Sequence, residues 1–224
     1  MMASQLLPPR PMRLHLEYLT GIKGFLSLLR DPNKVDSVFE IVEGFADTAI
    51  YRQAIAYVRS FPENAPLFDE RHLAGPIDLQ RLLLLPAGSL GREFAATMLA
   101  RKLDPDFFPK VDVKDDVTYL MLRLRQTHDL WHLVTGFDVD VPGELGLQAF
   151  GLAQLHNPLA VALIAGGLLR TLSDPSGLDR VMNQIARGWE MGRAAKQLFA
   201  QKWEQGWDKP LKIWREELDV YVQS

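Results

Sequence analysis

Two histidines one helical turn apart are the residues most able to do chemistry in this chain. His128 and His132 stand four residues apart with Asp129 next to the first, and eleven residues separate His132 from Glu144. Imidazoles at i and i+4 share one helix face, where both can grip one metal ion. Asp129 lies ~100° around the helix from His128. It could reach such an ion from the side, or accept the N–H of a ligand imidazole. Glu144 is the only charged residue between Asp140 and Arg170. A lone carboxylate entering an apolar segment is costly to bury unless it meets a cation. On that reading Glu144 is a further ligand, returned by a helix-turn-helix. On the other it is an exposed first-turn acid that favours the helix dipole.

Helices must position these groups. From about Val117 to Thr135 the positions Val117, Leu120, Met121, Leu124 and Trp131 keep three- and four-residue spacing. His128 and His132 continue that stripe, so they point into the protein. Thr135-Gly136 ends this helix, and Pro142-Gly143 precedes the next. Leu145 to Leu169 holds no Asp, Glu, Lys or Arg, but Asn157-Pro158 divides it. Each half is then too short to cross a bilayer. The halves are core helices, which could also line a greasy cavity or touch a membrane surface.

The rest of the chain repeats the helical period. Leu19, Ile22, Leu26 and Leu29 share a face, and Asp31-Pro32 opens a helix carrying Val35, Val38, Phe39, Val42 and Phe45. Ile77 to Leu85 is a short helix stopped by Pro86, and Ser89 caps the next, through about Leu103. Asp104 to Asp116, with two prolines and five aspartates, is a loop. Leu178, Val181, Met182, Ile185, Trp189, Gly192, Phe199 and Trp203 form one long stripe, and Pro210 opens a final helix with Leu211, Trp214 and Leu218. No segment alternates as a strand does. The expected fold is all-α, a single-domain helical bundle over residues 15–224 behind a flexible lead-in at 1–14.

Composition limits the function. The chain has 224 residues, which is one large domain at ~150 residues each. Lys plus Arg number 25 against 28 Asp plus Glu, so no basic field favours nucleic acid. There are no cysteines, which excludes disulfides, thiolate metal sites and a Cys nucleophile. Any metal site must use histidine, carboxylate and water. Arg123 and Arg125, within two turns of His128, could help bind an anion, but the favoured reading places them on the helix exterior, solvated or ion-paired; His156 could shuttle a proton, with a structural role favoured.

Residues 128 to 150, HDLWHLVTGFDVDVPGELGLQAF, closely resemble the signature of the Coq4 family of ubiquinone-biosynthesis proteins. LPAGSLGREFA from Leu85 to Ala95 is similar to another family segment, and Gly192 to Leu218 to the family's C-terminal region. The resemblance implies a divalent metal, zinc before magnesium, held by His128, Asp129, His132 and Glu144. It implies a hydrophobic tunnel for a polyprenyl tail, and a homodimer or larger assembly on a membrane surface with other quinone-biosynthesis proteins. In a bacterium the setting would be cytoplasmic, and in a eukaryote the matrix side of the mitochondrial inner membrane. The implied reaction removes the C1 carboxylate of the prenylated aromatic precursor, coupled with hydroxylation of that carbon. The tail would lie along Leu124, Trp131, Leu147, Phe150, Leu155, Leu159 and Leu163, with Gly146, Gly151, Gly166 and Gly167 leaving room or serving close helix packing. Two other functions compete: a non-catalytic scaffold that presents prenyl lipids, and a metal phosphohydrolase, since adjacent His-Asp ligands recur in helical phosphohydrolases.

Overall fold

The structure is a computed structural model, and it describes residues 48–103, 105 and 112–222. The lead-in, His15, the two helices expected before Ala49 and most of the Asp104–Asp116 loop lie outside those residues. Nine α-helices and no strand are found among the described residues: α1 (Ala49–Arg59), α2 (Ala65–Glu70), α3 (Leu79–Leu83), α4 (Leu90–Ala100), α5 (Asp116–Thr135), α6 (Val141–Leu155), α7 (Pro158–Arg170), α8 (Leu178–Ala194) and α9 (Leu211–Glu217). The chain is all-α, as its periodicity predicts.

Local chemistry sets the boundaries. Asp115 caps α5 in a capping box: its carboxylate accepts from Thr118 N, and the Thr118 hydroxyl accepts from Asp115 N. Gly136, left-handed at φ 70°, closes the helix with its N–H on His132 O. Asp140 caps α6, and Pro142 falls in its first turn. At the far end His156 turns left-handed, and Asn157 accepts from Leu159 N to start α7. His156 stacks flat on Tyr57, centroids 3.5 Å apart, which suits a structural histidine. The α3 helix is shorter than its apolar pattern because Asp78, capping Arg81 N, starts it after Ile77. The α4 helix ends at Ala100, three residues early, where Arg101 and a left-handed Lys102 leave the helical path.

Helix α5 is central and touches α1, α2, α4, α6 and α9, while α6 packs most extensively on α8 and α7. The α6–α8 seam is made of backbone. A Cβ on Gly188 would lie 1.9 Å from Gly146 O, and one on Gly192 2.6 Å from Phe150 O. Only glycine permits that approach. The long stripe expected from Leu178 to Trp203 is not one helix. Ala195 is extended, so Phe199 and Trp203 enter the core from irregular chain. On α8 itself the buried face is Val181, Gly188, Met191 and Gly192, whereas Leu178, Met182 and Trp189 are exposed.

Arg123 also departs from expectation, since its side chain is 0% exposed. The short turn at Trp203–Gln205 lays Glu204 over α5, where Oε1 accepts from Arg123 Nη1 at 2.6 Å. Gln201 O accepts from Nη2, and His72 Nε2 lies 3.2 Å from Glu204 Oε2. A partner 81 residues away in sequence satisfies a charge that a helical wheel assigns to solvent.

The glycine seam predicts a large effect from one methyl group. Gly188→Ala is expected to cost about 2 kcal/mol by overpacking, read as a lower urea midpoint by circular dichroism. Gly177→Ala, which meets nothing within 4 Å, is expected to leave the midpoint near the parent value.

Candidate metal centre

The α5–α6 hairpin brings three of the four predicted ligands together. Ligand atoms of His128, His132 and Glu144 all lie within 4.8 Å of one another. His132 Nε2 is 3.2 Å from His128 Nε2 and 3.0 Å from Glu144 Oε1, and His128 Nε2 is 3.6 Å from Glu144 Oε2. The two rings stand nearly perpendicular, at 88°. Asp129 is half-buried and outside this three-atom cluster, acting on His128 through its charge. Glu144 sits in the first turn of α6, 37% exposed, and faces both imidazoles, where it could serve as a ligand.

The hydrogen bonding of His132 defines what the cluster wants. His132 is 6% exposed, and its Nδ1 lies 3.0 Å from Phe137 O. A carbonyl can only accept, so Nδ1 carries a proton, and whenever the ring is neutral Nε2 is the nitrogen left with a lone pair. That lone pair faces a carboxylate oxygen and a second imidazole nitrogen. Three acceptors so close repel one another unless a proton or a cation sits among them. A four-coordinate zinc with ligands at ~2.0–2.1 Å separates neighbouring ligand atoms by about 3.4 Å. The measured 3.0, 3.2 and 3.6 Å bracket that value. Two nitrogens and one carboxylate suit zinc better than magnesium, which takes oxygen donors.

The acid–base balance carries the same message. Burial is the strongest influence on Glu144 and opposes ionisation, but the hydrogen bonds and charges of His128 and His132 outweigh it and lower its pKa to about 2. Burial likewise disfavours the charged form of His128, yet Glu144 and Asp129 raise its pKa above the ordinary value.

The other predicted residues are distributed along the same helices. Trp131, Leu147, Phe150 and Leu155 are buried in the core, with Trp131 edge-on to Phe150 at 5.7 Å. Leu124, Leu159 and Leu163 are half-buried. Gly146 and Gly167 serve close packing, since a Cβ there would strike the Phe137 ring and Leu145. Gly151 is different: its nearest neighbour is Trp131 at 3.9 Å. Phe137, whose carbonyl orients His132, was missed in the sequence because a backbone oxygen leaves no residue-type signal.

The fold and the site define a class: helical proteins whose helix hairpin gathers two histidines and a carboxylate into a cluster that could hold one metal ion. Residues 17–223 match the family model of coenzyme Q (ubiquinone) biosynthesis protein Coq4. The chain belongs to the Coq4 family. It is 32% identical over 167 residues to the rat mitochondrial ubiquinone biosynthesis protein COQ4 homolog, covering 71% of this chain and 61% of that protein. It is 24% identical over 217 residues to mitochondrial COQ4 of Coprinopsis cinerea, covering 91% and 70%. The chain thus spans about three-fifths of the length of the rat relative. A crystal structure of a Nostoc punctiforme protein named for ubiquinone biosynthesis superposes with TM-score 0.84 at 37% identity, covering 92% of this chain and 99% of that one.

The pKa shifts predict how the metal-free protein responds to pH. The depressed Glu144 contributes stability above its ordinary pKa of ~4.3 and loses it as pH falls through about 2. The raised His128 contributes fully below its ordinary ~6.5 and loses that as pH climbs through its raised value. The site therefore stabilises most between about pH 4.3 and 6.5. Thermal melts of metal-free protein are expected to weaken above that window, and Glu144→Gln is expected to flatten this alkaline decline.

Proposed function

We propose that this chain acts in ubiquinone biosynthesis by removing the C1 carboxylate of a polyprenylated 4-hydroxybenzoate-type precursor. The observation that supports this reading is the triad of acceptors at His128, His132 and Glu144, set at the start of a run, Leu145 to Leu169, that holds no Asp, Glu, Lys or Arg. A bound divalent ion, zinc first, supplies Lewis acidity toward a carboxylate or phenolate oxygen of the substrate. The protein's part is to hold and orient. His132 keeps its tautomer through Phe137 O, and Glu144 offsets part of the divalent charge. Asp129 completes the proposed set, on the ion or against His128.

An ionised 4-hydroxyl pushes electron density to C1. In the oxidative form the C1–carboxylate bond breaks, one atom of dioxygen bonds to C1, and the other leaves as water. Aryl carboxylic acid and dioxygen then become quinone, carbon dioxide and water, with no external reductant.

The tail is proposed to leave the site along α6, where Gly151 shares the face of Glu144 seven residues on. A Cβ added at Gly151 would meet only Trp131, in ordinary van der Waals contact at 3.9 Å, so that face is less tightly packed than Gly146 or Gly167. Leu147, Phe150 and Leu155 would form its wall, and half-buried Leu124, Leu159 and Leu163 its lining. A substrate of this kind resides in a bilayer. No helix among the described residues is long and apolar enough to cross one. Leu169 at the end of α7, Leu172 just after it, and Leu178, Met182 and Trp189 on α8 are exposed, which supports peripheral docking, alone or as a homodimer.

The test is carbon dioxide release from a prenylated 4-hydroxybenzoate by zinc-loaded protein, with and without oxygen. Release is expected for the parent and only background for His128→Ala; equal release from both would overturn the reading. Lipid binding with no turnover by the parent would point instead to the scaffold. Glu144→Ala is expected to lose most of its zinc by elemental mass spectrometry. Leu172→Asp combined with Trp189→Asp is expected to sediment less with anionic vesicles, and unchanged sedimentation would remove the docking surface.

A further inference from the structure

Helix α5 ends with its carbonyls fully engaged, and two arginines from distant helices do most of that work. His132 O accepts from Gly136 N. Leu133 O and Val134 O accept from Arg215 Nη2 and Nε, both at 2.9 Å. Thr135 O accepts from Arg187 Nη2 at 3.2 Å. A helix end with all four carbonyls met by donors cannot fray or slip in register. His132 is part of that last turn.

Arg187 does more than cap. Its guanidinium lies 4.5 Å from the centroid of the Phe137 ring, a cation–π contact. Gly146 also leaves room for the ring; a Cβ there would come within 2.5 Å of Phe137 Cε1. Arg187 thus grips the chain on both sides of Gly136, by the carbonyl of Thr135 and by the ring of Phe137. The group between those grips and the metal centre is Phe137 O, which accepts from His132 Nδ1 at 3.0 Å. Arg187 Nη1 donates to Gln184 Oε1 at 3.3 Å, Asp138 acts on the guanidinium through its charge, and its buried Nε has no hydrogen-bond partner among the described residues.

We propose that Arg187 is a positioning residue of the metal centre: by fixing Phe137 it decides which nitrogen of His132 faces the cation. The proposal rests on the cation-site reading above. With Phe137 O in place, Nδ1 holds the proton and Nε2 is bare. If Phe137 swings away, the Nδ1–H loses its acceptor, and the proton can move to Nε2, where Glu144 accepts it. The bare nitrogen would then point away from Glu144 and His128. The control acts on tautomer and needs no contact between Arg187 and ion or substrate.

Two measurements test this. The first uses metal-free protein, with the ring tautomer read from nitrogen-15 chemical shifts at a pH where His132 is neutral. The parent is expected to show the Nδ1–H form, and Arg187→Leu a mixture containing Nε2–H. The second is zinc affinity by competition with a chromophoric chelator, together with the visible spectrum of the cobalt-substituted protein. Arg187→Leu is expected to bind zinc at least about tenfold more weakly with an altered cobalt spectrum, while Arg187→Lys, which keeps a cation over the ring, recovers most of the affinity. Arg193→Leu, exposed on the same helix, serves as the control and is expected to match the parent. Arg187→Gln stands in if the leucine variant fails to fold. A parent with His132 protonated on Nε2, or a leucine variant with parental affinity, would overturn the role of Arg187. A parent that binds no zinc would overturn the cation site, and this inference with it.

Discussion

Electrostatic repulsion among three electron pairs is the constraint around which this structure is organised. His128, His132 and Glu144 are held with acceptor atoms 3.0 to 3.6 Å apart. Without a positive charge between them, such a cluster opposes folding. The protein holds it because each member is fixed from behind: two by one rigid helix, the third by the cap at Asp140 and the tight turn before it. The lowered Glu144 and raised His128 pKa values express the same demand for positive charge.

The scaffold is stiff where that cluster needs it. Capping box, left-handed glycine and two arginines immobilise both ends of α5. Arg123, buried against Glu204, pins its middle to a turn near the C-terminus. The backbone seam between α6 and α8 fixes the helix that carries Glu144, and the same α8 supplies Arg187. Electrostatics at the site and close packing away from it are therefore parts of one arrangement. Gly146 illustrates this: its missing side chain admits both the Phe137 ring and the Gln184 carbonyl of α8.

Much of this was legible from residue order, for a physical reason. Helical period, caps and breaks are local, so α5 is found within a residue of its expected start and the Asn157-Pro158 break is where it was placed. The pairing of His128 with His132 follows from a spacing of four on a helix. Glu144 could be suspected because a solitary charge in an apolar stretch needs a reason. Arg123 defeated the same local logic, since its partner Glu204 comes from a distant turn. The α8 stripe misled because glycine, carrying no hydropathy signal, chose the buried face and left Leu178, Met182 and Trp189 outside.

Sequence by itself determined the helical class, the absence of thiolate chemistry, the histidine pair and the kinship with Coq4 proteins. Each depends on residue type or short-range spacing, which a linear chain already contains. Tertiary structure alone decided that Glu144 meets both imidazoles while Asp129 stands aside, that a backbone carbonyl sets the His132 tautomer, and that Arg187 and Arg215 close the end of α5. Those outcomes depend on distances between groups far apart in the chain, which arise only when the helices pack.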